Sequence, residues 1–456
     1  MAHHSSQGLN RRQMVLSMIG AVSATAICQP LLMRRAWAAA EIVRYHFTRT
    51  GAGKNSGSDW NNALRLEVLP QLLAEARPGG MFLIAADSRA PSVIAIDEKQ
   101  LAVKVAGASG SPIVLDASGA GDEQVPQAVF QSGKPWSIED FSRKKKASAY
   151  IALTEGASYI EIRGFRVKGT SADGLVKFRG GKSGPKEFSN VTIANVDATD
   201  VGRLIETDKQ AFLKNIQIEN CRAVGIVRGF ARFYNLANAD FRNLHLDAKN
   251  FDAGGKSICQ LISINNGENL LFEDVTLKNA VNARFKDDGS VGYFQGDGIV
   301  CERGTKNVTI RRCHGSGMGD AAFDLKTTNV TIEESSSESC KFGARIWSQS
   351  DNVIRRCAFR NPVKYGNTKG SCVQASGSLT IEDSILEARG DGAALTLHQL
   401  KTGPAPHVVM RGGEVTLHDG APLARSTQAG SLELHDVKVN GTLRSGRFDL
   451  DRNEIS

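Results

Sequence analysis

The tetrapeptide Asn329-Val330-Thr331-Ile332 decides the fold, because the chain repeats it. It recurs unchanged as Asn190-Val191-Thr192-Ile193 and Asn307-Val308-Thr309-Ile310. Close variants are Asn215-Ile216-Gln217-Ile218, Asn243-Leu244-His245-Leu246, Asp274-Val275-Thr276-Leu277, Asn352-Val353-Ile354 and Ser378-Leu379-Thr380-Ile381. Weaker copies begin at Tyr159, His407 and Ser431. From 190 onward the intervals are 25, 28, 31, 33, 22, 23, 26, 29 and 24, a minimum near 22 with insertions of varying length. Such a series is the mark of a solenoid whose turns carry loops of different size.

The repeat unit is a strand, with apolar residues at every second position, β-branched residues throughout, and Gly, Asn or Asp at the corners. Cys221, Cys313 and Cys357 each fall three residues beyond Ile218, Ile310 and Ile354, and Ser335 and Ser384 fill the same slot. A small residue repeated at one slot predicts an inward stack, so these thiols are core filler and not disulfide partners. No cysteine pair has zinc-ligand spacing. The expected fold is all-β, a right-handed parallel β-helix of roughly ten or more coils.

Residues 39–110 are expected to hold the N-terminal cap and first coils, 111–440 the β-helix, and 441–456 a C-terminal tail. Ser58-Asp59 starts a predicted capping helix whose apolar face is Leu64, Val68, Leu72 and Leu73, ending before Pro78-Gly79-Gly80. Such a cap shields edge strands from a second chain. The glycine-rich stretch 51–58 lacks the spacing of a phosphate-binding loop.

Residues 1–38 read as an address. Arg11 and Arg12 precede an apolar, small-residue run from Met14 to Ile27, and Ala36-Trp37-Ala38 supplies a small-x-small cleavage pattern. The segment resembles a twin-arginine export signal, which implies a periplasmic or secreted protein with no membrane span in the mature chain. Its removal takes away Arg11, Arg12, Arg34 and Arg35 and no acid, so the net charge of +8 becomes +4. That balance permits an anionic partner but gives no stripe for nucleic acid. The basic run Arg143–Lys146 beside Trp136 reads as a solvated loop. A monomer is expected.

The N-terminal stretch 45–64 with its capping helix, together with the repeats, is similar to exported bacterial β-helix proteins of the pectate-lyase-like superfamily. The resemblance spans most of residues 45–440. It implies the fold and, for activity, a polysaccharide lyase that cleaves a uronate-containing chain by β-elimination.

Counting back from the Asn-Val-Thr-Ile anchors places Glu302, Asp324 and Trp347 in one outward column and Val300, Ala322 and Arg345 in the next. Lys326 then lies between Gly304 and Gln349. Asp297 and Asp320 each open a strand after a glycine. In the lyases that the pattern resembles, a basic side chain removes the proton α to a uronate carboxylate, and a cation or arginine stabilises the charge. Carried over, Lys326 is the base and Arg345 the carboxylate partner. Asp297, Asp320 and Asp324 become calcium ligands, and calcium and Arg345 together are expected to lower the lysine pKa. Trp347, Glu302 and His314 are the candidate substrate contacts. The same residues resemble an inverting glycoside hydrolase of polygalacturonase type, through Asp297, Asp320, His314-Gly315 and Arg345-Ile346. A non-catalytic polysaccharide-binding scaffold is the third reading. The long segment 284–295 is expected to wall a groove beside these strands.

Overall fold

The computed structural model describes residues 42–441, except 88–92, 96–99, 120–124, 132–148, 155, 182–183, 253–257, 287, 350–351 and 428. The leader 1–38, Trp136, Arg143–Lys146, Asp287 and residues 442–456 lie outside them.

From Asp297 onward the coils carry three short strands, whereas earlier ones merge into longer runs such as Ala211–Asp247, and strands pair in parallel with their counterparts one coil on. In the central coils the first face holds Asp297–Cys301, Ala321–Leu325, Phe342–Ile346, Ser371–Ala375 and Ala393–Leu397. The second holds Lys306–Arg311, Thr328–Glu333 and Asn352–Arg355. The third holds His314–Ser316, Ser336–Glu338 and Ala358–Arg360. The chain is thus a right-handed parallel β-helix.

The leading asparagine of the repeat is a corner residue. Asn190, Asn215, Asn238, Asn269, Asn307 and Asn329 all have φ between 52° and 57°, left-handed backbone that asparagine adopts at lower cost than other side chains. Each donates from Nδ2 to the Oδ1 of the one before it, at 2.9 to 3.2 Å. This ladder corrects the phasing of two repeats, and the strand register that of a third, since Val353 pairs with Thr331 and Asn352 with Leu379. Asn243-Leu244-His245-Leu246 and Asp274-Val275-Thr276-Leu277 belong to the next corner, and Thr276 pairs onward with His314 of the third face. The ladder copies are Asn238 and Asn269, so the steps along it are 25, 23, 31, 38 and 22 residues. The longest insertion is therefore the one before Asn307.

Inward positions form one continuous core with stacked rings such as Phe241 on Phe272 at 4.7 Å. All seven described cysteines are free and buried. Ser335 Oγ accepts from Cys313 N at 3.0 Å and Ser384 Oγ from Cys357 N at 3.1 Å, which confirms the small-residue slot.

The cap is shorter than expected. Leu64–Arg65 pairs as strand with Phe47 and Thr48. That leaves two 3-10 turns, Trp60–Asn62 and Leu66–Val68, and one α-helix, Leu69–Ala74. Pro70 sits in its first turn, where a missing N–H costs nothing. Its buried Leu69 and Leu73 join the core.

Candidate active site

A glycine precedes each strand-opening aspartate for a steric reason. A Cβ on Gly296 would lie 2.1 Å from Ala280 O, and one on Gly319 2.4 Å from Gln295 O. These close approaches draw Asp297 and Asp320 against the neighbouring coil. Ala321 N donates to Asp297 Oδ1 at 3.1 Å.

The outward columns differ from the sequence count by two residues. Asp324 stands beside Val300 and Arg345, not beside Glu302 and Trp347. The following position carries Glu302, Lys326, Trp347 and His398, each donating its backbone N–H to the coil before. The cause is the corner between the first and second faces. It takes four residues from Glu302 to Lys306 but two from Lys326 to Thr328, the residue that pairs with Lys306. A two-residue shift changes every neighbour yet leaves each side chain on the same side of the sheet.

With this register six of the expected residues join hand to hand. Lys326 Nζ lies 2.8 Å from Glu302 Oε1 and 3.2 Å from Asp324 Oδ2. Trp347 Nε1 donates to Asp324 Oδ1 at 2.6 Å. The Arg345 guanidinium lies over the Trp347 ring at 4.4 Å and over Phe342 at 4.9 Å, and its Nη1 donates to Asp320 Oδ2 at 2.7 Å. Lys341 Nζ approaches Asp320 Oδ1 at 2.8 Å and donates to Phe294 O at 3.1 Å. Asp297, Asp320 and Asp324 are only 3%, 8% and 4% exposed. They form a covered polar network and not a solvated ladder.

The electrostatics follow from that cover. Burial, reinforced by the charges of Asp320 and Asp324, holds the Asp297 carboxyl well above the usual carboxylate range. For Lys326, burial works to lower the pKa, but Asp324 and Glu302 outweigh it and the ammonium is stabilised. This is the reverse of the lowering expected, because the contacts of Lys326 are two carboxylates, while Arg345 pairs with Asp320. Burial and the charge of Arg345 push His398 below the usual imidazole value. His398 meets the Trp347 ring edge-on at 5.5 Å.

The carboxylates do not fit calcium. Both Asp320 oxygens face cations, both Asp324 oxygens face Lys326 or Trp347, and burial with two neighbouring carboxylates raises the Asp297 pKa. Among the described residues no three acidic, His or Cys side chains gather as a cation cage. His314 is placed elsewhere. It opens a third-face strand and shares a 2.9 Å hydrogen bond with Ser336 Oγ.

A cleft of about 570 Å³ opens over Asp320 and Arg345. Its charged lining is Asp320 against Lys341, Arg345, Lys369 and Arg425, with His398 beside them. The segment 284–295 does form the wall, as an antiparallel hairpin of Asn282–Phe285 and Val291–Gln295. Tyr293 and Phe294 line the cleft, and Phe294 packs on Tyr365 from another loop at 5.3 Å. Sequence reading missed Lys341, His398 and Arg425. The signal for His398 was present, since it follows Leu395-Thr396-Leu397 as Trp347 follows Ala344-Arg345-Ile346.

Residues 256–403 match the family model described as right handed beta helix region. No curated protein matches the chain in sequence. Among solved structures, a mannuronic acid specific polysaccharide family 6 lyase from human gut microbiota is 12% identical, with TM-score 0.49 over 89% of this chain and 90% of the other. A lacto-N-biosidase from Eubacterium ramulus is 10% identical, TM-score 0.47, covering 87% and 67%. A surface adhesin of Streptococcus pneumoniae is 11% identical, TM-score 0.40, covering 82% and 86%. No helix among the described residues is long and apolar enough to cross a membrane.

Proposed function

We propose that this is an exported protein that cleaves an acidic, uronate-containing polysaccharide by β-elimination in the cleft over Asp320 and Arg345. The observation that carries the reading is the lining, Lys341, Arg345, Lys369 and Arg425 against Asp320 between aromatic walls, with Asp391 outside it pairing Lys369 at 2.8 Å. A chain of sugar carboxylates is attracted there, and Tyr293 and Phe294 offer ring faces for sugar C–H surfaces.

Arg345 is the carboxylate partner. Asp320 and two aromatic faces hold its guanidinium, and its Nε is buried without a partner. A fixed cation aimed at developing charge needs no reorganisation when the proton leaves. The base is His398, which lines the same cleft and is held neutral near pH 7, as proton abstraction requires. It takes the proton α to the carboxylate, a C=C double bond forms as the C–O bond to the leaving sugar breaks, and the departing oxygen takes up a proton from water. Lys326, held as an ammonium by Glu302 and Asp324, positions Trp347 through Asp324 instead of taking the proton. No step is assigned to a metal.

The test is ultraviolet absorbance of residues 39–456 incubated with pectate, alginate and glycosaminoglycans. The reading expects a rise on at least one polymer that Arg345→Ala and His398→Ala abolish and Lys326→Ala only reduces. A rise lost fully in Lys326→Ala but kept in His398→Ala returns the base to the lysine. The raised pKa of Asp297 beside Asp320 favours a second reading, hydrolysis with Asp297 as acid. Reducing ends without absorbance, lost in Asp297→Asn, would establish it. Binding with neither product marks a scaffold.

A further inference from the structure

A second cleft, of about 490 Å³, lies on a different face and in the N-terminal half of the solenoid. It runs along the corner ladder from Tyr159 through Asn190, Asn215 and Asn238 to Asn269. Its wall is the tight turn at 108–111, closed by reciprocal backbone hydrogen bonds between Ala108 and Ser111. Gly107 N donates to Ser158 O at 2.9 Å, and a Cβ on Gly107 would lie 2.5 Å from Tyr159 O. The wall is therefore seated directly against the strand that carries Tyr159.

Tyr159 is out of place by the logic of its own corner. Its neighbours in register place Ser158 beside Ser189 and Ile160 beside Val191, so Tyr159 occupies the ladder position of Asn190. There it holds φ at 51°. Left-handed backbone is strained for a bulky residue, while asparagine fits it and would extend the amide ladder by one member. A strained residue kept where a relaxed one would serve points to use of its side chain. That side chain is an aromatic ring at the end of a groove, and its hydroxyl has no hydrogen-bond partner among the described residues.

The rest of the lining narrows the ligand. Two residues beyond each ladder position stand Glu161, Thr192, Gln217 and Asp240. Arg163 pairs with Glu161 at 2.6 Å and Arg242 with Asp240 at 3.3 Å, so both acids are neutralised from outside the groove. No Lys or Arg lines it, in contrast to the cationic cleft over Arg345. Amides and hydroxyls both donate and accept, as sugar hydroxyls do, and a ring face suits the C–H side of a sugar. The ladder from Tyr159 to Asn269 spans four coil spacings, roughly 19 Å, room for a few sugars in line.

We propose that this groove binds a neutral oligosaccharide segment, with Tyr159 stacked on a sugar ring and Gln217 and the corner amides meeting its hydroxyls. The site is separate from the cleft over Arg345 and does not depend on what that cleft does.

The experiment is calorimetric titration of residues 39–456 with neutral gluco-, galacto- and manno-oligosaccharides of about four to six units, a length set by the groove. Melting temperature is measured in parallel. At least one series is expected to bind, and Tyr159→Asn to weaken that binding about tenfold or more. Because asparagine fits the backbone, Tyr159→Asn should melt at or above the parent temperature, which separates lost binding from lost folding. Arg345→Ala should bind the neutral sugar as the parent does. The proposal is overturned if no neutral series binds, if Tyr159→Asn binds undiminished, or if Arg345→Ala abolishes the binding.

Discussion

Arg345 reaches back one coil and donates from Nη1 to Asp320 Oδ2 at 2.7 Å, with both side chains largely buried at the floor of the cationic cleft. The aspartate aims the guanidinium. Replacing Asp320 with Asn keeps the shape but removes the charge that holds both Arg345 and Lys341. Apparent affinity for the acidic polymer should fall about tenfold, seen mainly in KM, because the cations then lose their fixed geometry. Arg345→Lys should not rescue Arg345→Ala, since a lysine cannot keep the planar stack between Phe342 and Trp347. Steady-state kinetics on the cleaved polymer, or equilibrium binding, decides both.

His398 should set the acid limb of the pH profile. Its pKa is lowered by burial and by Arg345, so kcat/KM should rise with pH with a midpoint below the ordinary imidazole value of about 6.5. In Arg345→Gln that limb should move upward. A profile unmoved by the change at Arg345 would separate the histidine from the reaction.

Asp297 makes a stability prediction of known sign. Its folded pKa is raised by burial and then by Asp320 and Asp324. Between the unfolded value of about 4 and the higher folded value, the native state holds a proton that the unfolded chain has released. Native stability relative to acid therefore declines as pH rises through that window. Asp297→Asn keeps an acceptor for Ala321 N and removes the titration. It should raise the melting temperature by a few degrees at neutral pH and by nothing near pH 3.

Glu333 works the opposite way. Arg311 Nε donates to its Oε1 at 2.5 Å and Arg355 Nε to its Oε2 at 2.8 Å, from the coils before and after. Burial works to raise the Glu333 pKa, but these two arginines outweigh it and the value falls. The stabilisation is present above the unfolded value of about 4.3 and lost as pH falls through the lower folded one. Glu333→Gln should cost on the order of 1–2 kcal/mol at neutral pH, kept modest by the exposure of the arginines. Denaturant titration at neutral and acid pH measures it.

The cysteines should be silent. Burial pushes the Cys221 and Cys313 thiols up to about 12 and Cys357 to about 11, so a thiol reagent should label none of them in the native protein and all in denaturant. Chelators should leave activity unchanged, because Asp320 and Asp324 direct their oxygens at Lys341, Arg345, Lys326 and Trp347.

The repeat alone determined the parallel solenoid, the inward stack of cysteine and serine, and which side of the first face each of Asp324, Lys326, Arg345 and Trp347 occupies. Those follow from a strand's period of two and from the cheapness of asparagine at a left-handed corner, both local properties. Only the tertiary structure decided who touches whom. A corner shortened by two residues, from Glu302–Lys306 to Lys326–Thr328, moved Asp324 from Glu302's column to Val300's while leaving every face unchanged. That shift turned the expected lysine base into an ion-paired ammonium and brought His398 beside Trp347. Register between coils depends on loop lengths summed around a turn, and a strand motif carries no record of how many residues its neighbour spends at the bend.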